Sequence, residues 1–463
     1  MNSPVLDRRR SGVLLHPTAL CTAHGEHGER GEHGALGAAG RGFIDWLAAA
    51  GCSVWQVLPL GPVGADGSPY WVRSDQAGNP ALIDRREAPD PQQGRAAFEQ
   101  YCAAEQSWLD DYALFTALSR AHEAAPWWTW PAPLREREPT ALQTAAAQHQ
   151  PLLHSLRVEQ WQFATQWAAL RNYAGERGVR LYGDLPIYLA PDSVATWTQR
   201  GQFQLGADGQ PTVRAGVPPD YFSADGQLWG NPLYNWEQAR RDGFAFWRTR
   251  LASLLQRFDL VRIDHFRGLA GYWAVPAEAQ TAREGEWRPA PGAELLGTLR
   301  NTLGDLPLVA EDLGVITPDV IELQRAFGLP GMRVLQFGFD GSPGNPHLPY
   351  NFTPATVVYT GTHDNDTTPG WCRTLDDATR ARVAAFLNVD AARIPAAMVR
   401  AALASVAVLA IVPVQDLLEL GSEARFNVPG TGGGNWQWRL DAQALTPDAA
   451  ARHRVLNETY GRM

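Results

Sequence analysis

The sequence is poor in cysteine, with four residues in 463, and these are too scattered for a disulfide framework or a zinc ribbon. It also lacks any apolar run near the roughly 20 residues that a membrane-spanning helix needs. The N-terminal segment has too short an apolar stretch for a signal peptide. We therefore expect a cytoplasmic protein that has no membrane partner.

Positive charge is in deficit as well, with 40 Lys and Arg against 49 Asp and Glu and a formal net charge of −9. No cluster of Lys or Arg offers a local exception, so a nucleic acid is a poor partner. Tryptophan, in contrast, is abundant, with 18 residues. Indole rings either fill a core or stack on the apolar face of a sugar, and composition alone leaves both interpretations open.

Eight short apolar segments recur along the chain, and longer amphipathic stretches follow them. They are nearly continuous in Val, Ile and Leu, which is typical of parallel strands covered on both faces. The segments are Gly12–His16, Ser53–Leu60, Arg180–Tyr188, Leu260–Phe266, Leu306–Asp312, Met332–Phe337, Val357–Asp364 and Val406–Asp416. Helices are predicted at 43–50, 160–174, 236–258 and over most of 377–408. This alternation favours an α/β fold of the closed (β/α)8, or TIM, barrel type, with an open doubly wound sheet as the alternative.

Two connections are much longer than ordinary strand-to-helix loops of about 2–6 residues. They follow the second and third predicted strands. We interpret them as insertion subdomains built over the barrel mouth, at about 61–178 and 190–245, within a single catalytic domain that spans 1–463.

Acidic side chains stand at the carboxyl ends of four predicted strands. They are Asp184 in GDLPIY, Asp264 in VRIDHF, Glu311 in VAEDLG and Asp364 in THDND. Since the carboxyl ends of parallel barrel strands meet on one face, these side chains would converge there with Arg262 and His363. Like charges close together raise each other's pKa, so such a cluster indicates a chemical function.

Two kinds of chemistry use such a cluster. Glycosidic cleavage needs one carboxyl group as acid and a second as nucleophile or base. Metal-assisted hydrolysis would use His and Asp ligands, and His265 and His363 each adjoin an aspartate. Neither HxH nor HExxH occurs, and the aromatic-rich insertions are explained only by a sugar substrate. The Gly-rich segment 21–37, with Cys21, His24, His27 and His33, is interpreted as a flexible loop. We therefore expect no metal and no cofactor.

Several long segments resemble those of the 4-α-glucanotransferases, the amylomaltases or disproportionating enzymes of glycoside hydrolase family 77 in the α-amylase clan. The resemblance runs in order from about Ser11 to Arg439. It is carried by SGVLLHPTAL, WQVLPLGP, GDLPIYLAPDS, AGVPPDYFSADGQLWGNPLYNW, LVRIDHFRGLAGYW, VAEDLGVITPDV, YTGTHDNDTT and LGSEARFNVPGTGGGNWQWR. It implies a barrel with insertions, no C-terminal β-sandwich domain, and transfer of α-1,4-glucan segments through a covalent intermediate with retained configuration.

The resemblance also implies roles for individual residues. Asp264 would be the nucleophile, Glu311 the general acid and base, and Asp364 the third acid, which binds ring hydroxyls. Arg262 would keep Asp264 ionised, and His363 and Asp184 would bind sugar hydroxyls. Further glucan contacts are implied for Tyr70, Ser68, Tyr221, Phe222, Trp229 and Asn427. The implied partners are maltooligosaccharides, amylose, glycogen and glucose as acceptor, bound by a monomer or weak homodimer.

The chain departs from the family in one segment. The family pattern SPYQSFSAFAGNP is replaced by SPYWVRSDQAGNP, so Trp71, Arg73, Asp75 and Gln76 are atypical. This change bears on acceptor binding and product size, and it leaves the acids untouched. A hydrolase and a catalytically inactive glycan-binding protein remain the alternatives. The products formed from maltotriose would separate the three.

Overall fold

The computed structural model of the chain describes residues 5–20, 34–64, 66–219, 224–431 and 433–463. Within them twelve strands occur, numbered in chain order. They are β1 Arg10–Leu14, β2 Val54–Gln56, β3 Arg180–Leu185, β4 Val213–Val217, β5 Gln227–Pro232, β6 Leu260–Ile263, β7 Gly271–Pro276, β8 Glu286–Pro289, β9 Leu308–Ala310, β10 Gly331–Val334, β11 Thr356–Tyr359 and β12 Leu409–Pro413.

Eight of these strands form a closed parallel barrel in the order β1, β2, β3, β6, β9, β10, β11 and β12. The last strand pairs with the first, with Arg10 opposite Leu409. Each coincides with one of the eight predicted apolar segments, so the predicted barrel is confirmed and the open sheet is excluded. The strands are completely or nearly completely buried because helices cover their outer face.

The α-helices of the described residues lie outside the barrel or in its long connections. They are α1 Ala38–Ala49, α2 Arg95–Ala104, α3 Gln106–Ala121, α4 Ala132–Arg135, α5 Pro139–Gln148, α6 Gln150–Glu176, α7 Val194–Thr198, α8 Trp236–Arg241, α9 Ala245–Arg257, α10 Gly292–Leu303, α11 Pro318–Ala326, α12 Thr368–Thr374, α13 Asp377–Leu387, α14 Ile394–Ala404, α15 Val414–Leu417 and α16 Pro447–Thr459.

The single helix predicted over 236–258 is wrong in one respect, because the structure divides it into α8 and α9. Gly243 and Phe244 between them have φ of 63° and 56°, in the left-handed region that ends a helix. The stretch 377–408 is likewise divided into α13 and α14, after Asn388 with φ of 51°.

The connection between β2 and β3 carries α2 to α6. These helices and α7, which follows β3, share a second hydrophobic cluster, in which Phe115, Trp130 and Trp197 are in ring contact. A separate cluster is what an insertion subdomain needs to hold its helices together. Nine of the 18 tryptophans are buried core residues, eight are partly buried, and Trp287 is exposed.

A second, antiparallel sheet has the strand order β5, β4, β7 and β8. β4 and β5 belong to the predicted insertion after β3, whereas β7 and β8 follow β6 and were not predicted. Residues of β7 and β8 are largely half-exposed, so they lack the continuous apolar run that marked the barrel strands. After β12, the described residues hold helices and no further strand. Among the described helices, none combines the length and apolar character required to cross a membrane.

Candidate active site

The four predicted acids lie at the carboxyl end of the barrel. Asp184 is the fifth residue of β3, and Asp264 and Glu311 directly follow β6 and β9. Asp364 lies five residues beyond the end of β11. After β6 the backbone turns away from the strand direction, since His265, next to Asp264, has φ of 49°. The Asp264 side chain is partly exposed at the mouth, whereas Asp184 and Glu311 are buried.

Arg262 is a buried cation that holds two of these acids. Its Nη1 donates to Asp184 Oδ2 at 2.6 Å, and its Nη2 donates to Asp264 Oδ1 at 2.7 Å. Asp184 and Arg262 are register partners in adjacent strands, which brings their side chains side by side. The Asp264 side chain remains 28% exposed. The guanidinium thus fixes one oxygen of Asp264 while the carboxylate stays accessible from the mouth.

Asp184 differs from Asp264 in its exposure. Its side chain is fully buried, and Tyr70 donates its hydroxyl to the same Oδ2 at 2.7 Å. Burial raises the pKa of Asp184, and the adjacent Arg262 opposes that effect. In this structure Asp184 Oδ2 accepts hydrogen bonds from both Arg262 and Tyr70 and so fixes the positions of these two side chains. The predicted contact of Asp184 with sugar hydroxyls stays a prediction.

Glu311 is buried beside Asp264. Its Oε2 accepts from the backbone N–H of His265 at 2.7 Å, and its Oε1 accepts from the N–H of Leu313 at 2.8 Å. Burial raises the pKa of Glu311 to about 7, with the negative charge of Asp264 adding to the rise and Arg262 and the two N–H groups opposing it. A carboxyl group in this state carries a proton in a large fraction of molecules at neutral pH.

Asp364 is connected to the same cluster through His363 and Tyr70. Asn427 donates to Asp364 Oδ1 at 2.6 Å, and His363 Nε2 lies 3.3 Å from that oxygen. The His363 ring stacks on Tyr70, with centroids 5.1 Å apart and planes at 16°. Because Tyr70 also binds Asp184, one continuous set of contacts connects Asp364 with Asp264.

The remaining predicted residues fall into three groups. Trp229, on β5, packs edge-on against His265 at 4.7 Å and so lies beside Asp264 and Glu311. Ser68 accepts from the Tyr70 N–H at 3.3 Å and shapes the turn that carries Tyr70. Tyr221 and Phe222 lie outside the described residues, as do residues 21–33 with Cys21, His24, His27 and His33. In the described ranges, no three His, Cys, Asp or Glu side chains group as metal ligands would.

Two side chains at the site were not singled out from the sequence. Arg425 donates to the backbone oxygen of Asp364 at 2.7 Å, and the Trp436 ring lies 6.0 Å from His363 and 6.2 Å from Tyr70. Both residues belong to the segment LGSEARFNVPGTGGGNWQWR, which also contains Asn427. The resemblance of this segment to the family was the sequence feature that could have indicated them. A small pocket of about 30 Å³ lies on this side, lined by His363, Arg425 and Phe426 among others.

A parallel barrel that gathers carboxyl groups, an arginine and stacked aromatic rings at its carboxyl end has the architecture of the glycoside-processing barrel enzymes. Residues 15–93 and 85–445 match the family model described as 4-alpha-glucanotransferase. The chain belongs to this 4-alpha-glucanotransferase family.

Individual relatives agree with that assignment over their full length. The 4-alpha-glucanotransferase of Thermus thermophilus is 45% identical over 506 aligned positions, covering 98% of this chain and 99% of the relative. That of Synechocystis sp. is 43% identical, covering 99% of both. The solved amylomaltase from Streptococcus agalactiae in complex with acarbose superimposes with a TM-score of 0.91 at 34% identity, covering 98% of this chain and 100% of that one.

Proposed function

We propose that the chain is a 4-α-glucanotransferase, which moves α-1,4-glucan segments between maltooligosaccharides, amylose or glycogen, with glucose as one acceptor. The observation that carries the proposal is the close approach of Glu311 to the backbone next to Asp264. The N–H of His265, the residue next to Asp264, binds the carboxyl group of Glu311 at 2.7 Å. One accessible carboxylate thus stands beside one protonated acid, as glycosidic cleavage requires.

In the first step, the Asp264 carboxylate attacks the anomeric carbon of the donor. The bond from that carbon to the glycosidic oxygen breaks, and Glu311 gives its proton to the departing oxygen. The product is a glycosyl ester on Asp264. The arginine contact through Oδ1 keeps the carboxylate oriented toward the mouth while the bond forms.

In the second step, Glu311 takes the proton of an acceptor hydroxyl, and that oxygen attacks the anomeric carbon. The ester bond breaks, Asp264 regains its carboxylate, and the new glycosidic bond has the configuration of the old one. Asp364 and His363 would hold hydroxyls of the sugar at the cleavage point, since the Asp364 side chain is 45% exposed.

Transfer instead of hydrolysis requires that water be kept away from the ester until the acceptor arrives. Trp229 is suited to this, because its ring covers His265 directly beside the two acids. The implied contribution of Tyr221 and Phe222 stays a prediction. The cytoplasmic location, the absence of a cofactor and the monomer or weak homodimer also stay predictions.

The test is the product profile of maltotriose. Wild type should give glucose together with a ladder of longer maltooligosaccharides, and Asp264→Asn should lower the rate on the order of 10⁴-fold. Asp377→Asn, at a side chain that is 99% exposed, is the matched control and should keep the wild-type rate. Only shorter sugars would identify a hydrolase. Binding without turnover in the wild type would identify an inactive glycan-binding protein.

A further inference from the structure

The atypical segment 71–76 is anchored to the rest of the protein by three of its four unusual residues. Arg73 Nη2 lies 2.7 Å from Asp192 Oδ2, and Asp75 Oδ2 lies 3.1 Å from Nε of the buried Arg250. The backbone oxygen of Gln76 accepts from Arg257. The side chains of Arg73 and Asp75 are therefore occupied by internal ion pairs, which account for these two substitutions, whereas the structure does not explain the glutamine at 76.

Trp71, the fourth unusual residue, has no such partner. Among the described residues, its indole N–H makes no hydrogen bond and its ring stacks on no other aromatic ring, while the side chain is half-buried. Its backbone is fixed, because the Trp71 N–H donates to Ser68 O at 3.2 Å and Val72 bridges Val63 in an antiparallel pair. The backbone of Trp71 is therefore held in place, while its ring forms no hydrogen bond and no aromatic contact with the described residues.

Two glycines lie close to this ring. A Cβ at Gly64 would lie 3.9 Å from Trp71 Cδ1, and a Cβ at Gly230 would lie 3.8 Å from Trp71 Cη2. The indole therefore reaches from the turn after β2 to strand β5. Gly230 directly follows Trp229, whose ring contacts His265 beside Asp264.

Trp71 also directly follows Tyr70, which binds Asp184 and stacks on His363. The indole is therefore close to the described cluster, since Trp71 adjoins Tyr70 in sequence and its ring approaches Gly230, the residue after Trp229. The apolar face of a glucose ring pairs well with an indole that has no other partner.

We propose that Trp71 is a stacking platform for one glucose residue of the bound α-1,4-glucan, next to the residue at the cleavage point. The proposal rests on the proposed function, and it makes position 71 a determinant of glucan binding particular to this chain. Replacing the side chain should weaken glucan binding about five- to tenfold, the range of one well-placed aromatic contact.

The experiment measures the Kd of maltohexaose by calorimetry in the Asp264→Asn background, in which the sugar is not turned over. Trp71→Ala and Trp71→Gln should each raise the Kd about five- to tenfold, whereas Trp71→Phe should retain most of the affinity. Trp128→Ala is the matched control, because Trp128 is also half-buried but its ring packs on Trp127, in the connection between β2 and β3. The Kd of this control should equal that of the Asp264→Asn protein.

The outcomes distinguish this proposal from the one before it. If wild type makes the maltotriose ladder and the parent binds maltohexaose, but Trp71→Ala binds equally well, the platform is refuted and the transferase stands. An equal loss in Trp128→Ala, or in Trp71→Phe, also refutes it. If the Asp264→Asn protein does not bind maltohexaose at all, the proposed function itself is refuted. Unchanged thermal unfolding of Trp71→Gln shows that the loss is not a folding defect.

Discussion

Replacing Glu311 by glutamine should make the protein's stability less sensitive to pH. Burial raises the pKa of Glu311 from its ordinary 4.5 to about 7 in the folded chain. Between these pH values the unfolded chain releases the proton while the folded chain keeps it, so wild type loses stability as pH rises. A pKa difference of about 2.5 corresponds to about 3 kcal/mol in total, of which about 2.5 kcal/mol develops between about pH 5 and pH 8.

The substitution also has a constant cost. Both carboxyl oxygens of Glu311 accept backbone N–H groups, from His265 and Leu313, and a glutamine side chain offers only one acceptor oxygen. Leaving one N–H unpaired costs about 1–3 kcal/mol at every pH. The informative quantity is therefore the difference in the free energy of unfolding between Glu311→Gln and wild type, followed as a function of pH. The constant cost is the same at every pH and cancels in this comparison.

Scanning calorimetry at about pH 5 and about pH 8 measures this change. With about 2.1 cal/mol/K of unfolding entropy per residue over 463 residues, the melting temperature of Glu311→Gln relative to wild type should rise by about 2–3 °C between the two pH values. Glu99→Gln, at an exposed carboxyl group in α2, measures the effect of removing one surface charge. If Glu311→Gln shows no larger rise than Glu99→Gln, or a fall, the assignment of a protonated Glu311 is refuted.

Two further predictions concern the same cluster. The kcat/KM for maltotriose should fall as pH rises through about 7, because Glu311 loses the proton that it must donate; a profile flat through that range would contradict its role as general acid. Arg262→Met should cost about 3–5 kcal/mol in urea unfolding, since Asp184 and Asp264 lose their shared cation, and an unchanged midpoint would show that the ion pairs carry little stability.

Much of the barrel could be predicted because of where its strands lie. A strand covered on both faces must be apolar along its whole length, so segments such as Leu260–Ile263 and Leu409–Pro413 stand out in the sequence. The strands β7 and β8 escaped prediction for the opposite reason, because half of their residues face water. The division between α8 and α9 depended on two left-handed residues that no apolar pattern marks.

The residue types at strand ends also indicated the acids, but not what each acid does. Asp184 and Asp264 both end a predicted strand, yet Asp184 lies within β3 and is fully buried, whereas Asp264 lies one residue beyond β6 and is accessible. Asp184 is opposite Arg262 in the register, two residues before Asp264, and this offset goes with the difference in exposure of the two carboxyl groups. Arg425 and Trp436 approach the site through a loop about 60 residues distant in sequence from Asp364, and no local pattern announces such a contact.

The sequence alone determined the barrel, the family and the positions of the three acids, because apolar runs and the short motifs around each acid are local properties of the chain. Only the tertiary structure decided which acid is buried, which one keeps a proton near neutral pH, and which atypical side chain is left without a partner. Burial, proton affinity and the absence of a partner depend on neighbours from distant segments, such as Arg262 beside Asp184 and the N–H of His265 on Glu311. These neighbours meet only when the chain folds.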